Sequence, residues 1–166
     1  IEFIDLTPPE GVDRLEYARQ IRSKCDEVGL PVASYTVGGN LLLEDQEAEI
    51  ERLKGQVDVA VALGVKVMRH DVCYSTTKQG NGRSFGLMLP TIADNARKIT
   101  EYGAQCGIIT CSENHGYIAQ DSDRMERLFN AVNHDNYGLL VDMGNFMCAD
   151  EDPSLSASRL APYAFH

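Results

Sequence analysis

The chain has 166 residues, 43% of them apolar and 24% charged, enough for one ordinary domain with a sizeable core. Its net charge of −10 argues against nucleic acid as the main partner, because phosphate binding needs clustered Lys and Arg. No secretory signal or bilayer-length apolar run is present, and the five cysteines, odd in number and without CxxC spacing, read as reduced, mostly buried thiols of a cytoplasmic protein with no membrane partner.

In chain order, Ile1–Leu6 predicts a strand closed by Thr7-Pro8-Pro9, which cannot continue a ladder. Gly11–Val28 predicts a helix burying Leu15, Ala18, Ile21 and Cys25, stopped by Gly29. Pro31–Tyr35 is the next predicted strand, followed by a Gly38-Gly39-Asn40 loop. A helix from about Glu44 to Leu63 carries Ile50, Leu53, Val57 and Val61 as its buried stripe. Val65–Val72 is a strand ending in Arg69-His70-Asp71. Cys73–Leu87 is a polar, Gly-bearing loop longer than most connections, either a functional lid or a solvated insertion.

Pro90 suits the first turn of a helix running to about Cys106, with Ile92, Ala96 and Ile99 inward. The run from Gly107 to Gly116 opens as a β-branched strand and ends abruptly in Glu113-Asn114-His115. Asp121-Ser122-Asp123 caps a helix carrying Met125, Leu128, Phe129 and Val132. Tyr137–Val141 repeats the strand pattern and ends in Asp142. Asp152-Pro153 opens a short helix over Ser154–Leu160, Pro162 ends it, and Tyr163–His166 begins another strand.

Strict alternation of strands and helices implies a parallel sheet covered by helices. An open doubly wound sheet would carry a Gly-rich turn after its first strand, and GxGxxG is absent. Acids and imidazoles at the far ends of successive strands suit a (β/α)8 barrel, which places its chemistry there. A complete barrel has eight units, so the six strand-like runs read as strands two to seven, with residues 1–166 forming one incomplete barrel domain. Both ends fall inside strand-like runs, and the chain therefore reads as a piece of a longer protein.

Period-two spacing places Glu113, Cys111 and Ile109 on one face of their strand, and Asp142, Leu140 and Gly138 on one face of theirs. If Val65 and Val67 face the helices, Lys66, Met68 and His70 point into the barrel. Glu113, Asp142, His70 and His166 then converge on one mouth. Crowded carboxylates repel unless a cation sits between them, and Mn²⁺, Mg²⁺ or Co²⁺ suits mixed carboxylate and imidazole ligands. The plainer alternative is that each acid caps the helix after it. His115 falls on the rim or against the next loop, His134 in a solvated turn, and Cys111 in the core. No Ser-His-Asp or Cys-His arrangement and no P-loop can be argued from spacing.

In "CSENHG", "LLVDMGNF" and "VDVAVALGVKVMRHDV" the chain resembles the xylose isomerase-like TIM barrels known as sugar phosphate isomerases/epimerases, and the likeness runs over nearly its whole length. The resemblance implies one divalent metal (Mn, Mg, Co or Zn) bound by Glu113, Asp142, a seventh-strand His and an eighth-strand Glu beyond this chain. His166 lies on the seventh strand, as the ligand or as the neighbour of the ligand in a His-x-His pattern. The resemblance further implies a small sugar or sugar-phosphate substrate, for which His70 and His115, placed by spacing, and Asn145 are the expected contacts, and it leaves room for a homo-oligomer. Asn145 stands where ketose epimerases often have a substrate-contacting His. The implied reaction is isomerisation or epimerisation by proton abstraction next to a carbonyl through an enediolate, with Glu113 as one acid/base partner. The same scaffold hosts dehydratases, hydroxypyruvate isomerases and the His-rich endonuclease IV group. Four histidines and an acidic surface do not suit the last of these, and a degenerate barrel used for binding is the non-enzymatic alternative.

Overall fold

The computed structural model describes residues 2–4, 6–73 and 84–166. Ile1, Asp5 and most of the expected Cys73–Leu87 loop lie outside them. Five strands, β1 (Glu2–Ile4), β2 (Ser34–Val37), β3 (Val67–His70), β4 (Ile109–Glu113) and β5 (Tyr137–Leu140), form one sheet in sequence order. Every pairing is parallel. The segment Ala164–His166 adds to the far edge. Ala164 bridges Leu139 in parallel, the Leu139 carbonyl accepts from Phe165 N–H, and the His166 carbonyl accepts from Val141 N–H.

Helices α1 (Arg14–Glu27), α2 (Gln46–Leu63), α3 (Phe85–Cys106) and α4 (Ser122–Val132) connect the strands, and each packs on the next. A doubly wound sheet would reverse its strand order at a switch point. Here the order never reverses, so the strands wind one way, as in a barrel wall. Two shorter helices, α5 (Met143–Met147) and α6 (Pro153–Leu160), follow β5.

Local chemistry explains the helix ends. Asp13, Asp45, Asp121, Asp142 and Asp152 each accept backbone N–H groups in the first turn of the following helix. Gly64 and Gly107 stop α2 and α3 with φ of 77° and 72°, a left-handed conformation that glycine adopts without strain.

Several expected boundaries move. β2 begins at Ser34 rather than Pro31, whose missing N–H cannot join the ladder. α3 begins at Phe85, so Pro90 sits inside the helix, opposite the carbonyl of Gly86 one turn earlier. Phe85 and Met88 extend the apolar stripe of Ile92, Ala96 and Ile99 and bury the additional turn. Val61 is 44% exposed, and the buried α2 stripe passes from Val57 to Ala60 and Leu63 instead. Helix α5 fills part of the stretch between Asp142 and Asp152, where spacing marks no element.

The core lies between sheet and helices. Pairing places Tyr35, Met68, Thr110 and Tyr137 in one row across β2 to β5. That row faces the helices: the Tyr35 hydroxyl donates to Gln56 Oε1 on α2 at 2.7 Å, and the Thr110 and Thr100 hydroxyls meet at 2.7 Å. Met68, fully buried there, is worth about 1.5–3 kcal/mol in transfer terms.

The same register corrects the reading of β3. Arg69 pairs with Cys111, which shares the inner face of β4 with Glu113. Val67 and Arg69 therefore line the barrel, while Met68 and His70 lie against the helices and Lys66 is exposed.

Candidate active site

The strand ends gather charged groups on the inner side of the sheet. Glu113, 8% exposed, closes β4. Its Oε2 accepts from Nε and Nη2 of Arg69, and its Oε1 accepts from Asn145 Nδ2 at 2.9 Å. The Arg69 guanidinium also donates through Nη1 to the Val37 carbonyl at 3.2 Å and lies 3.1 Å from Asp71 Oδ1. Asp71, with a side chain only 4% exposed, meets His115 Nδ1 through the same oxygen at 3.1 Å. An unbroken polar chain thus runs from His115 through Asp71, Arg69 and Glu113 to Asn145.

A second layer fixes this chain. Asn114, fully buried, donates to the Asp142 carbonyl and accepts from the Asp142 N–H, each at 2.8 Å, tying the ends of β4 and β5 together. Asp142 Oδ1 accepts from Gly144 and Asn145 N–H at 2.7 and 3.4 Å. The helix-cap reading of this acid is therefore realised, and the turn it caps carries the amide that grips Glu113. Gln120 donates to the Asn145 carbonyl at 2.9 Å and accepts from Tyr117 N–H at 2.8 Å. Tyr117 has a φ of 67°, a strained conformation for a side-chain-bearing residue and one often found beside sites.

Of the residues singled out in the sequence, Glu113 and Asn145 touch, His115 joins through Asp71, and Asp142 lies on the adjoining strand end. His70 does not join them. Fully buried on the helix side, it holds the Asp71 carbonyl through Nδ1 at 3.0 Å, and its Nε2 has no partner. Burial lowers its pKa below the usual 6.5, despite the Asp71 carbonyl and carboxylate pulling the other way. Such a ring cannot reach a substrate at the mouth, which corrects its expected contact role. His134 accepts from Asn136 N–H in its turn. His166 is exposed on the edge segment.

Arg69 and Asp71 are the residues that spacing missed. Cys111 is packed in the wall, and burial pushes its thiol up to about 12. Cys73 is pushed to about 12 by burial and then by the Asp71 charge. Neither sulfur is a thiolate nucleophile at neutral pH.

Glu113 and Asp142 supply two hard oxygen donors of the kind a divalent cation takes. Among the described residues, no three His, Cys, Asp or Glu side chains stand close enough to hold one. The donors fit such an ion in kind, and a complete coordination shell needs more than these two.

Solved structures share this architecture at low identity. A D-psicose 3-epimerase from Clostridium cellulolyticum H10, determined with D-tagatose, superposes with a TM-score of 0.76 at 12% identity, over 92% of this chain and 56% of that one. A "probable 3-DHS dehydratase AsbF involved in the petrobactin synthesis" from Bacillus anthracis gives 0.73 at 18%, over 91% and 54%. A xylose isomerase-like TIM barrel protein from Mycobacterium smegmatis in complex with magnesium gives 0.71 at 17%, over 98% and 60%. The chain thus spans between half and two thirds of these structures. No curated protein matches it. The profile of one family covers residues 1–166 from end to end, and the chain belongs to the xylose isomerase-like TIM barrel family.

Proposed function

We propose that this chain carries the acid/base side of an isomerase or epimerase that moves a proton on the carbon next to the carbonyl of a small sugar or sugar phosphate. The observation that carries the reading is Glu113. It is a carboxylate at the C-terminal end of an inner strand, nearly withdrawn from water and engaged at both oxygens. A carboxylate held in this way loses little orientational freedom on meeting a substrate C–H, and it accepts the proton at an oxygen that Arg69 or Asn145 yields. Asn145 fixes Oε1, Arg69 neutralises the charge on Oε2, and Asp71 orients both Arg69 and His115 toward the same mouth. The D-psicose 3-epimerase neighbour supports a ketose substrate, and the dehydratase neighbour keeps water elimination as a competing outcome.

In this reading Glu113 and Asp142 hold a divalent metal, with His166 as the third candidate ligand. When bound, a metal supplies a positive centre that stabilises developing charge on a substrate oxygen. The five unpaired cysteines suit the reducing cytoplasm.

The test is deuterium wash-in. The intact protein, loaded with Mn²⁺ or Mg²⁺, is offered ketoses and ketose phosphates of three to six carbons in heavy water. Exchange next to the carbonyl is expected, and it should disappear in Glu113→Gln, which keeps the shape and removes the base. The absence of both exchange and isomer formation with every one of these substrates refutes the reading. Loss of water to a keto-deoxy product instead identifies a dehydratase.

A further inference from the structure

The ion pair at the centre of the site has a consequence for metal binding. Among the described residues, the guanidinium of Arg69 is the cation bound to Glu113, and the Arg69 and Glu113 side chains are largely withdrawn from water, at 13% and 11% exposure. Oε2 takes two N–H groups from Arg69, so its lone pairs point at that cation. Arg69 is not committed to Glu113 alone. Its Nη1 faces Asp71 Oδ1 at 3.1 Å and the Val37 carbonyl at 3.2 Å, so a second carboxylate and a backbone acceptor stand ready on its other side.

Resting on the metal reading of Glu113 above, we propose that Arg69 is a built-in counter-ion that competes with a divalent cation for Glu113, with Asp71 as the group that retains the arginine when the cation arrives. Two positive centres cannot share one carboxylate oxygen in a poorly solvated wall without strong repulsion. Oε1 is already held by the Asn145 amide, so a cation that enters at Oε2 requires the guanidinium to give up that oxygen. Asp71 makes that move cheap, because Arg69 keeps an ionic partner throughout and never becomes an isolated buried charge.

Variants at Arg69 and at Asp71 predict shifts of opposite sign. Arg69→Met removes the competing charge and leaves Asp71 and Glu113 uncompensated, so Mn²⁺ affinity should rise on the order of ten-fold or more. Asp71→Asn removes the retaining group, drives Arg69 onto Glu113, and should weaken Mn²⁺ binding on the order of ten-fold. A purely structural role would loosen the site in both variants and weaken both.

The experiment is calorimetric titration of the intact protein and both variants with Mn²⁺, with thermal unfolding checked alongside. If Arg69→Met fails to fold, Asp71→Asn and one spectroscopic measurement still decide. The Nε–H signal of Arg69 in a ¹⁵N spectrum, assigned by its absence in Arg69→Lys, should shift and exchange faster with water on saturation with Mg²⁺. Weaker or unchanged Mn²⁺ binding in Arg69→Met, or an Nε–H signal indifferent to saturating Mg²⁺, overturns the proposal. Binding to Arg69→Met but not to the wild type supports it directly. No binding to either overturns the competition and the metal reading together, while deuterium wash-in under chelator decides separately whether the isomerase reading survives.

Discussion

Asn114→Ala offers the sharpest test of how the site is supported. Its amide makes two 2.8 Å hydrogen bonds to the backbone of Asp142, one donated and one accepted, from a fully buried position. Each such bond is worth about 0.5–1.5 kcal/mol net, and an abandoned buried partner costs about 1–3 kcal/mol. Asp142 is half-buried, so water recovers part of that loss. The sum is about 2–4 kcal/mol, or roughly a 30- to 900-fold change in the unfolding equilibrium constant. Urea unfolding of the intact protein, followed by circular dichroism, reads it as a lower midpoint at unchanged slope. Asn114→Asp should be at least as harmful, because a carboxylate cannot donate to the Asp142 carbonyl and adds charge between Glu113 and Asp142. A loss below about 0.5 kcal/mol in Asn114→Ala would show that the strand ends hold without the staple.

Two further predictions concern packing and pH. Gly138 lies on the inner face of β5, where an added Cβ would run into the Phe165 ring. Gly138→Ala should cost about 1–3 kcal/mol alone and much less in a Phe165→Ala background, and equal costs in the two backgrounds would refute the contact. His70 is held neutral by burial, so its folded pKa lies below the ordinary 6.5. The unfolded chain then binds the extra proton first, and stability contributed above pH 6.5 is lost as pH falls toward the folded value. Urea midpoints at about pH 7.5 and 5.5 should differ more for the wild type than for His70→Gln, and parallel profiles would refute the assignment.

The helices were legible because their signals are local. An Asp at the cap and a glycine at the stop act within one turn, and so Asp121, Asp152 and Gly29 mark ends the structure keeps. Glu113 was legible because an acid after a β-branched run has few explanations. The facing of β3 was not. A barrel strand is covered on both sides, so apolar residues occupy both faces and alternation alone cannot tell Val67 from Met68. The deciding fact is the register of Arg69 against Cys111, a contact between residues far apart in the chain. Arg69 was overlooked for the same reason, since a guanidinium inside a wall is tolerable only once Glu113 and Asp71 are beside it. Helix α5 is five residues long, too short for periodicity to announce, and exists because Asp142 caps it.

That small helix makes the two acids interdependent. Asp142 closes its first turn, and the same turn carries the amide that holds Glu113. Whatever draws the Asp142 carboxylate away unwinds the turn, moves Asn145 and releases Glu113. Anything that locks Glu113 through Asn145 keeps Asp142 in its cap. The two carboxylates should therefore change state together, and for a ligand that engages both, the affinity lost on removing either acid should include part of what the other contributes, so that the two losses do not add.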